Sequence, residues 1–196
     1  MAKETSKALR RRWQESAFPW KKIFTGKGID VGAGDDPLPF EGCIPFDWEQ
    51  GDANKLSTYF PANAFDYLHA SQVLEHMHDP FAAIEDWTKI VKLGGHLVIT
   101  VPEMSLYGDI LWGEHGSRYN PDHKSTYSFG LKRSGAPIHV YVPDFIDRIT
   151  AELPLVGLLA RVVDANYDYK IGFTKDQTWL ECDGIEAWVE LVLRVK

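Results

Sequence analysis

The segment Asp30-Val31-Gly32-Ala33-Gly34 sets two glycines one residue apart and is followed at once by Asp35 and Asp36. Glycines at such a turn let the backbone approach a ligand closely. A dinucleotide site would lay a pyrophosphate on these amides. Three carboxylates around that phosphate would repel it strongly. The third glycine of a G-x-G-x-x-G turn is replaced by Pro37, and no Gly-Lys-Ser/Thr of a phosphate loop follows. The residue types suit a cationic ligand that keeps phosphate away from the turn. The plainer alternative is a tight strand-to-loop connection with Asp35 and Asp36 in solvent.

S-adenosylmethionine is a ligand of the first kind, with a sulfonium and an ammonium group and no phosphate. Further along, Asp47 can accept from both hydroxyls of a ribose, and charge-assisted bonds of this sort contribute about 1.5–3 kcal/mol each. Trp48 offers a ring for one adenine face. In Gly51-Asp52-Ala53, Asp52 can accept from the exocyclic amine and Ala53 can meet the adenine edge.

Methyl transfer from sulfur is an in-line displacement, so much of its catalysis is placement. A hydroxyl acceptor also needs a base, and histidine suits that role by its pKa. His76 and His123 are the catalytic candidates, ahead of His78 and His115. A packed histidine at a helix start is an equal reading for His76. His123 lies in SRYNPDHKSTYSF, residues 117–129, where Arg118, Tyr119 and Asp122, with Tyr107 upstream, are candidate substrate-binding groups. His76-x-His78 followed by Asp79 has a metal-hydrolase spacing. Asp79-Pro80, however, reads as a helix N-cap and first helical residue, and no metal is expected. Asp164-x-Asn166-x-Asp168 opens like a calcium loop, but Tyr169 and Lys175 stand where glycine and glutamate are required. No serine or cysteine sits in a nucleophile elbow.

The elements that must position these groups alternate. Short buried strands are expected at Gly28–Val31, Cys43–Asp47, Phe65–Ala70 and His96–Val101. Phe81, Ile84, Trp87, Ile90 and Val91 recur at helical spacing after Asp79-Pro80, with Gly94-Gly95 as the stop. Residues 5–16 and Pro143–Leu153 read as helices. The final IEAWVELVLRVK alternates as a strand with one fully buried face. This order predicts an α/β fold with a doubly wound, mostly parallel sheet. Pro37 and Pro39 fall inside the short connection from Asp35 to Gly42, so the first crossover helix is expected to be shortened or missing. Residues 102–140 fit no element well.

In combination, Asp30-Val31-Gly32-Ala33-Gly34, Asp47, the segment Phe65 to His76 and Lys92-Leu93-Gly94-Gly95-His96-Leu97 resemble the class I S-adenosylmethionine-dependent methyltransferases. The resemblance covers about residues 28–102 and is greatest to small methyltransferase-type-11-like proteins associated with polysaccharide and glycan biosynthesis. It implies a Rossmann-like sheet of seven strands whose C-terminal strand is antiparallel. It implies that Asp30, Gly32, Ala33 and Gly34 hold the methionine end, Asp47 the ribose, and Asp52 and Ala53 the adenine. His69, Ser71 and also Gln72 would line the cofactor's inner side. Leu93-Gly94 departs from the family's Pro-Gly, and Gly94 still supplies the turn.

The chain has 196 residues, 44% of them hydrophobic and 25% charged, which fits a single domain over residues 1–196. Its parts are a basic N-terminal helix or lid (1–27), a cofactor-binding core (28–102), an acceptor-side insertion (103–140) and a C-terminal helix and strands (141–196). Lys3, Lys7, Arg10, Arg11, Arg12, Lys21, Lys22 and Lys27 stand against only Glu4 and Glu15 in the first part, while the whole chain carries −7. The acidic remainder argues against a nucleic-acid partner. The basic helix is expected either to lie solvated against the acidic body or to close the cofactor pocket. Two cysteines, no apolar run of spanning length and no leader pattern point to a cytoplasmic protein with no integral membrane segment. A homodimer stays an open option. The functional expectation is methylation of a small-molecule or glycan-linked acceptor, at oxygen. The alternatives are N-methylation of an amino sugar or metabolite, and a non-catalytic methyltransferase-like binding module.

Overall fold

A computed structural model of the chain describes residues 4–107, 120–166 and 185–196. Six strands form the central sheet: β1 (Gly28–Val31), β2 (Cys43–Phe46), β3 (Phe65–Ser71), β4 (Val91–Pro102), β7 (Leu155–Asn166) and β8 (Ile185–Val195), in the order β2-β1-β3-β4-β8-β7. β1, β2, β3 and β4 pair in parallel. β8 pairs antiparallel with both β4 and β7, so it alone runs against the rest. The expected α/β class and antiparallel C-terminal strand are present. The sheet has six strands among the described residues, against the seven that the resemblance implies. Beyond β2 the chain forms a 310 segment, Ala53–Thr58, that packs on the helix after β3.

Alternation along the strands divides the core. Ile29, Val31, Leu68, Ala70, Leu97, Ile99, Val189 and Leu191 share one hydrophobic cluster with Ala83, Ile84, Trp87 and Ile90 of the helix α3 (Pro80–Ile90). α3 starts where expected: the Asp79 carboxylate accepts from Phe81 N and Ala82 N, with Pro80 in the first turn. It ends at Ile90, earlier than the glycine pair. β4 already begins at Val91 and passes through Gly94-Gly95, with a register shift opposite Phe65 and Tyr67.

The other face is covered by the N-terminus. No helix links β1 to β2, as the two prolines predict. In its place α1 (Glu4–Gln14) and α2 (Trp20–Ile23) lay Leu9, Trp20, Ile23 and Phe24 against Tyr67, Val98 and Val192. The basic helix thus lies against the acidic body, as one of the two readings expects, with the correction that part of its charged face is buried instead of solvated. Lys7 and Arg12 are buried, Arg12 beside the Trp20 ring and Lys7 beside Trp188. The C-terminal strand is corrected too: Glu186, Trp188 and Glu190, on the face opposite Leu191, are fully buried along with it. Glu190 accepts from Arg11 Nη2 (2.7 Å), Arg12 Nε (2.8 Å) and Arg161 Nε (2.9 Å), and Glu186 accepts from Arg11 Nε (2.6 Å). The basic helix and the acidic strand thus neutralise each other inside the protein, as buried charges must.

Part of the stretch that fits no element on paper is ordered: a short helix α4 (Met104–Tyr107) and two parallel strands, β5 (Ser125–Ser128) and β6 (Ile138–Tyr141). The helix α5 (Val142–Glu152) follows and packs on β7. No helix among the described residues is long and apolar enough to cross a membrane.

Candidate functional site

The carboxyl ends of β1, β2 and β3 open into a cavity of about 570 Å³. Parallel strand ends make such crevices because the loops leaving them diverge. Gly32, Asp47, Trp48, Asp52, Ala53, His76 and Asp122, all expected site residues, line it together with Phe46, Gly51, Gln72, Val73 and Met77. Ala33 and Gly34 lie in an adjoining cleft that shares Asp47 and Trp48.

Gly32 has φ +69°, and a Cβ there would lie 2.2 Å from Val73 Cγ2. The turn therefore needs glycine for its backbone and for the packing of Val73. Asp47 ties this turn to the end of β2. One carboxylate oxygen accepts from Gly34 N at 2.7 Å and the other from Trp48 N at 2.7 Å. A carboxylate offers about four acceptor positions, so Asp47 keeps capacity for a ribose. Asp52 caps the following 310 segment through Asn54 N at 2.9 Å. The bond from the Asn54 side chain, and then that from Asn54 N, hold its carboxyl below the ordinary range. Trp48 is 81% exposed at the rim, an unusual place for a large ring without a partner. Gln72 is in the left-handed region at φ +57°, and its Nε2 is buried without a hydrogen bond. Strain and an orphaned donor together mark a binding position. A lining with three carboxylates and this free amide fits the cationic, hydroxyl-rich S-adenosylmethionine.

The structure does not bring Asp30 and His69 to this cavity. Both are buried on the α1 face. Arg12 Nη1 approaches His69 Nε2 at 3.2 Å, His69 Nδ1 lies 2.6 Å from Asp30 Oδ1, and Leu38 N donates to Asp30 Oδ2 at 2.7 Å. A guanidinium only donates, so His69 accepts at Nε2 and donates from Nδ1. This chain fixes the loop after the glycine turn from behind. Ser71 is likewise turned into the sheet, accepting from Thr100 Oγ1 at 3.0 Å.

His76 and His123, 47 positions apart in sequence, meet at the cavity wall with ring centroids 4.9 Å apart. His76 lies on the 310 turn Leu74–His76, and its Nδ1 is 3.2 Å from the Asp122 carbonyl oxygen. Burial first, and then the neighbouring His123, push the His76 imidazole below the ordinary histidine range. His123 is buried behind it, with Nε2 at 3.9 Å from Glu75 Oε1. Glu75 lies inside the motif segment but carries no sign of a role in the sequence, since its partner His123 arrives from the turn before β5. His78 points to solvent. Arg118, Tyr119 and His115, and the side chain of Tyr107, fall outside the described residues.

Residues 31–99 match a family model described as a methyltransferase domain. No curated protein sequence matches the chain. Among solved structures, a SAM-dependent methyltransferase from Archaeoglobus fulgidus superposes with a TM-score of 0.57 at 15% identity, over 98% of this chain and 94% of that one. A methyltransferase from Haloferax volcanii, seen in complex with the Trm112 methyltransferase activator, gives 0.54 at 13% identity over 97% and 93%. A third, from Mesorhizobium loti, gives 0.52 at 13% over 95% of each. At these identities the likeness is one of fold.

Asp47→Ala is expected to weaken S-adenosylmethionine binding by about 10–100-fold, through loss of one or two charge-assisted bonds and of the turn's anchor. Asp47→Asn keeps one acceptor for Gly34 N and should recover part of it. Calorimetry on the folded variants decides, and an unchanged Kd removes Asp47 from the site. The match of residues 31–99 to a methyltransferase domain, the shared fold and the lining of the cavity together support an enzyme whose methyl donor is S-adenosylmethionine.

Proposed function

We propose that the enzyme methylates a hydroxyl of a small-molecule or glycan-linked acceptor, and that this hydroxyl is ionised at the Glu75, His76 and His123 cluster. The observation that carries the reading is that His76 lines the same cavity as Asp47 and Asp52. One wall is suited to the nucleoside and the other to proton removal. When bound, S-adenosylmethionine supplies the methyl, the S–C bond breaking as the O–C bond forms. Residues 47–53 hold the nucleoside end. Asp122, beside His76, is placed to orient a polyol. An amine acceptor, already carrying a lone pair, would have less need of such a cluster.

The test is product analysis. The enzyme is incubated with methyl-labelled S-adenosylmethionine and a panel of sugar, sugar-phosphate, polyol and amino-sugar acceptors, and the products are fragmented by mass spectrometry. Label in an ether supports the reading. Label found only on nitrogen replaces it with N-methylation, and tight cofactor binding without transfer to any acceptor points to a binding module.

A further inference from the structure

We propose that Glu75, His76 and His123 hold a first-row divalent cation at the cavity wall, on which the acceptor hydroxyl is ionised. The inference rests on the preceding reading that ionisation occurs at this cluster, and it names the agent. One ligand atom from each of the three residues lies within 4.8 Å of the others. Bonds of about 2.0–2.2 Å at tetrahedral angles set ligand atoms roughly 3.4 Å apart. The 3.9 Å between His123 Nε2 and Glu75 Oε1 needs only a small side-chain adjustment to reach this. Two imidazoles and a carboxylate form a donor set that binds zinc, cobalt, manganese or iron and leaves coordination positions open. The open side here is the cavity, because His76 lines it while Glu75 and His123 are buried behind.

The surroundings are arranged as an outer shell. His76 Nδ1 faces the Asp122 carbonyl at 3.2 Å. Donation there leaves Nε2 with its lone pair for a metal, which is how ligating imidazoles are usually fixed. The two chain segments that supply the ligands are clamped together. Lys124 N donates to Glu75 O at 2.8 Å, and Tyr127 OH donates to Leu74 O at 3.2 Å. The two segments that carry the donor set are therefore held to each other by the fold. A hydroxyl bound to the cation would lose its proton to solvent near neutral pH, and the resulting alkoxide would attack the methyl.

The metal alone is the probe. Full-length protein, stripped with chelator and dialysed, is titrated with Co²⁺ and followed in the visible, then with Zn²⁺ by calorimetry. One equivalent should bind, with the absorption of low-coordinate cobalt. Loss of an outer-shell partner typically costs about 10–100-fold in affinity, so His123→Gln and Glu75→Gln should cost more than that. His78→Ala, exposed and outside the cluster, should bind normally. Stripped enzyme should lose methyl transfer and regain it with metal. Absence of cobalt binding by the wild-type protein overturns the inference. So does full activity of stripped enzyme; if His76→Ala is then still inactive, the cluster works as a simple base and the proposed function survives. If His76→Ala is active as well, both fail.

Discussion

His76→Ala is expected to lower kcat by about 10²–10⁴, the usual range for loss of a group that manages a proton in the transition state, and to leave the Kd of S-adenosylmethionine close to wild type. The two effects separate because the residues expected to hold the cofactor lie on the strand ends around Gly32, Asp47 and Asp52, whereas His76 reaches the cavity from the turn after β3. Its environment favours the neutral ring, through burial and the adjacent His123. A neutral imidazole can take a proton or bind a cation, and an imidazolium can do neither. His123→Ala should lower kcat as well, because His123 connects His76 to the buried Glu75. Steady-state kinetics with saturating cofactor measures both. Wild-type kcat in the two variants across the pH range would leave placement as the sole source of rate and favour an amine acceptor. Loss in His76→Ala alone would reduce the segment around His123 to a binding lid.

Glu190→Ala is expected to destabilise the protein by about 3–5 kcal/mol, the cost of breaking a buried pair from one side. Its carboxylate, with a side chain fully buried, accepts from Arg11, Arg12 and Arg161 at once. Removing it leaves three guanidinium groups close together, with Glu186 and Glu15 as the remaining anions. In a domain of this size the loss corresponds to a Tm lower by about 6–20 °C. Glu190→Leu combined with Arg12→Met should recover a large part, since an apolar pair of similar volume carries no desolvation cost. A Tm unchanged in Glu190→Ala would mean that the network adds nothing. The wild type has a matching acid limit. Burial works against the charge on Glu190, but Arg12 and Arg11 outweigh it and hold its carboxyl at about 2, below the ordinary 4.5. A depressed carboxylate stabilises in full above its unfolded pKa, so this contribution is complete above pH 4.5 and is lost as the pH falls towards 2.

What could be read from the sequence was local. β1 falls at Gly28–Val31 as expected, because a short apolar run between glycines has few other uses. Asp79-Pro80 marks the start of α3 because cap and first-turn chemistry are set by neighbours. The turn at Gly32, and Asp47 and Asp52 after β2, meet at one cavity as expected, because they follow the ends of adjacent parallel strands. The missed features join distant segments. In IEAWVELVLRVK the apolar face draws attention, and Glu186 and Glu190 look like solvent residues until Arg11 and Arg12 are placed over them. Asp30 and His69 read as cofactor groups because they sit in the motifs, yet side-chain alternation turns them to the face away from the cavity. Glu75 acquires a role only when His123 arrives beside it. β5 and β6 have four residues each and pair with each other, with one further bridge from Tyr127 to Glu103, so no periodicity announces them.

The bond from Arg12 to Glu190 spans 178 positions in the chain. A ribosome releases α1 long before it releases β8, so the helix emerges with its arginines and its apolar side exposed and no sheet face to receive them. Translation can complete β1, β3, β4 and α3 as a nearly local unit, and α2 can already cover Tyr67 and Val98, but Arg11 and Arg12 meet their buried anions only after β8 has emerged. Assembly therefore closes last around one of the helices made earlier. The interval between the emergence of α1 and that of β8 is when the arginines and apolar side of α1 are open to contact with other chains.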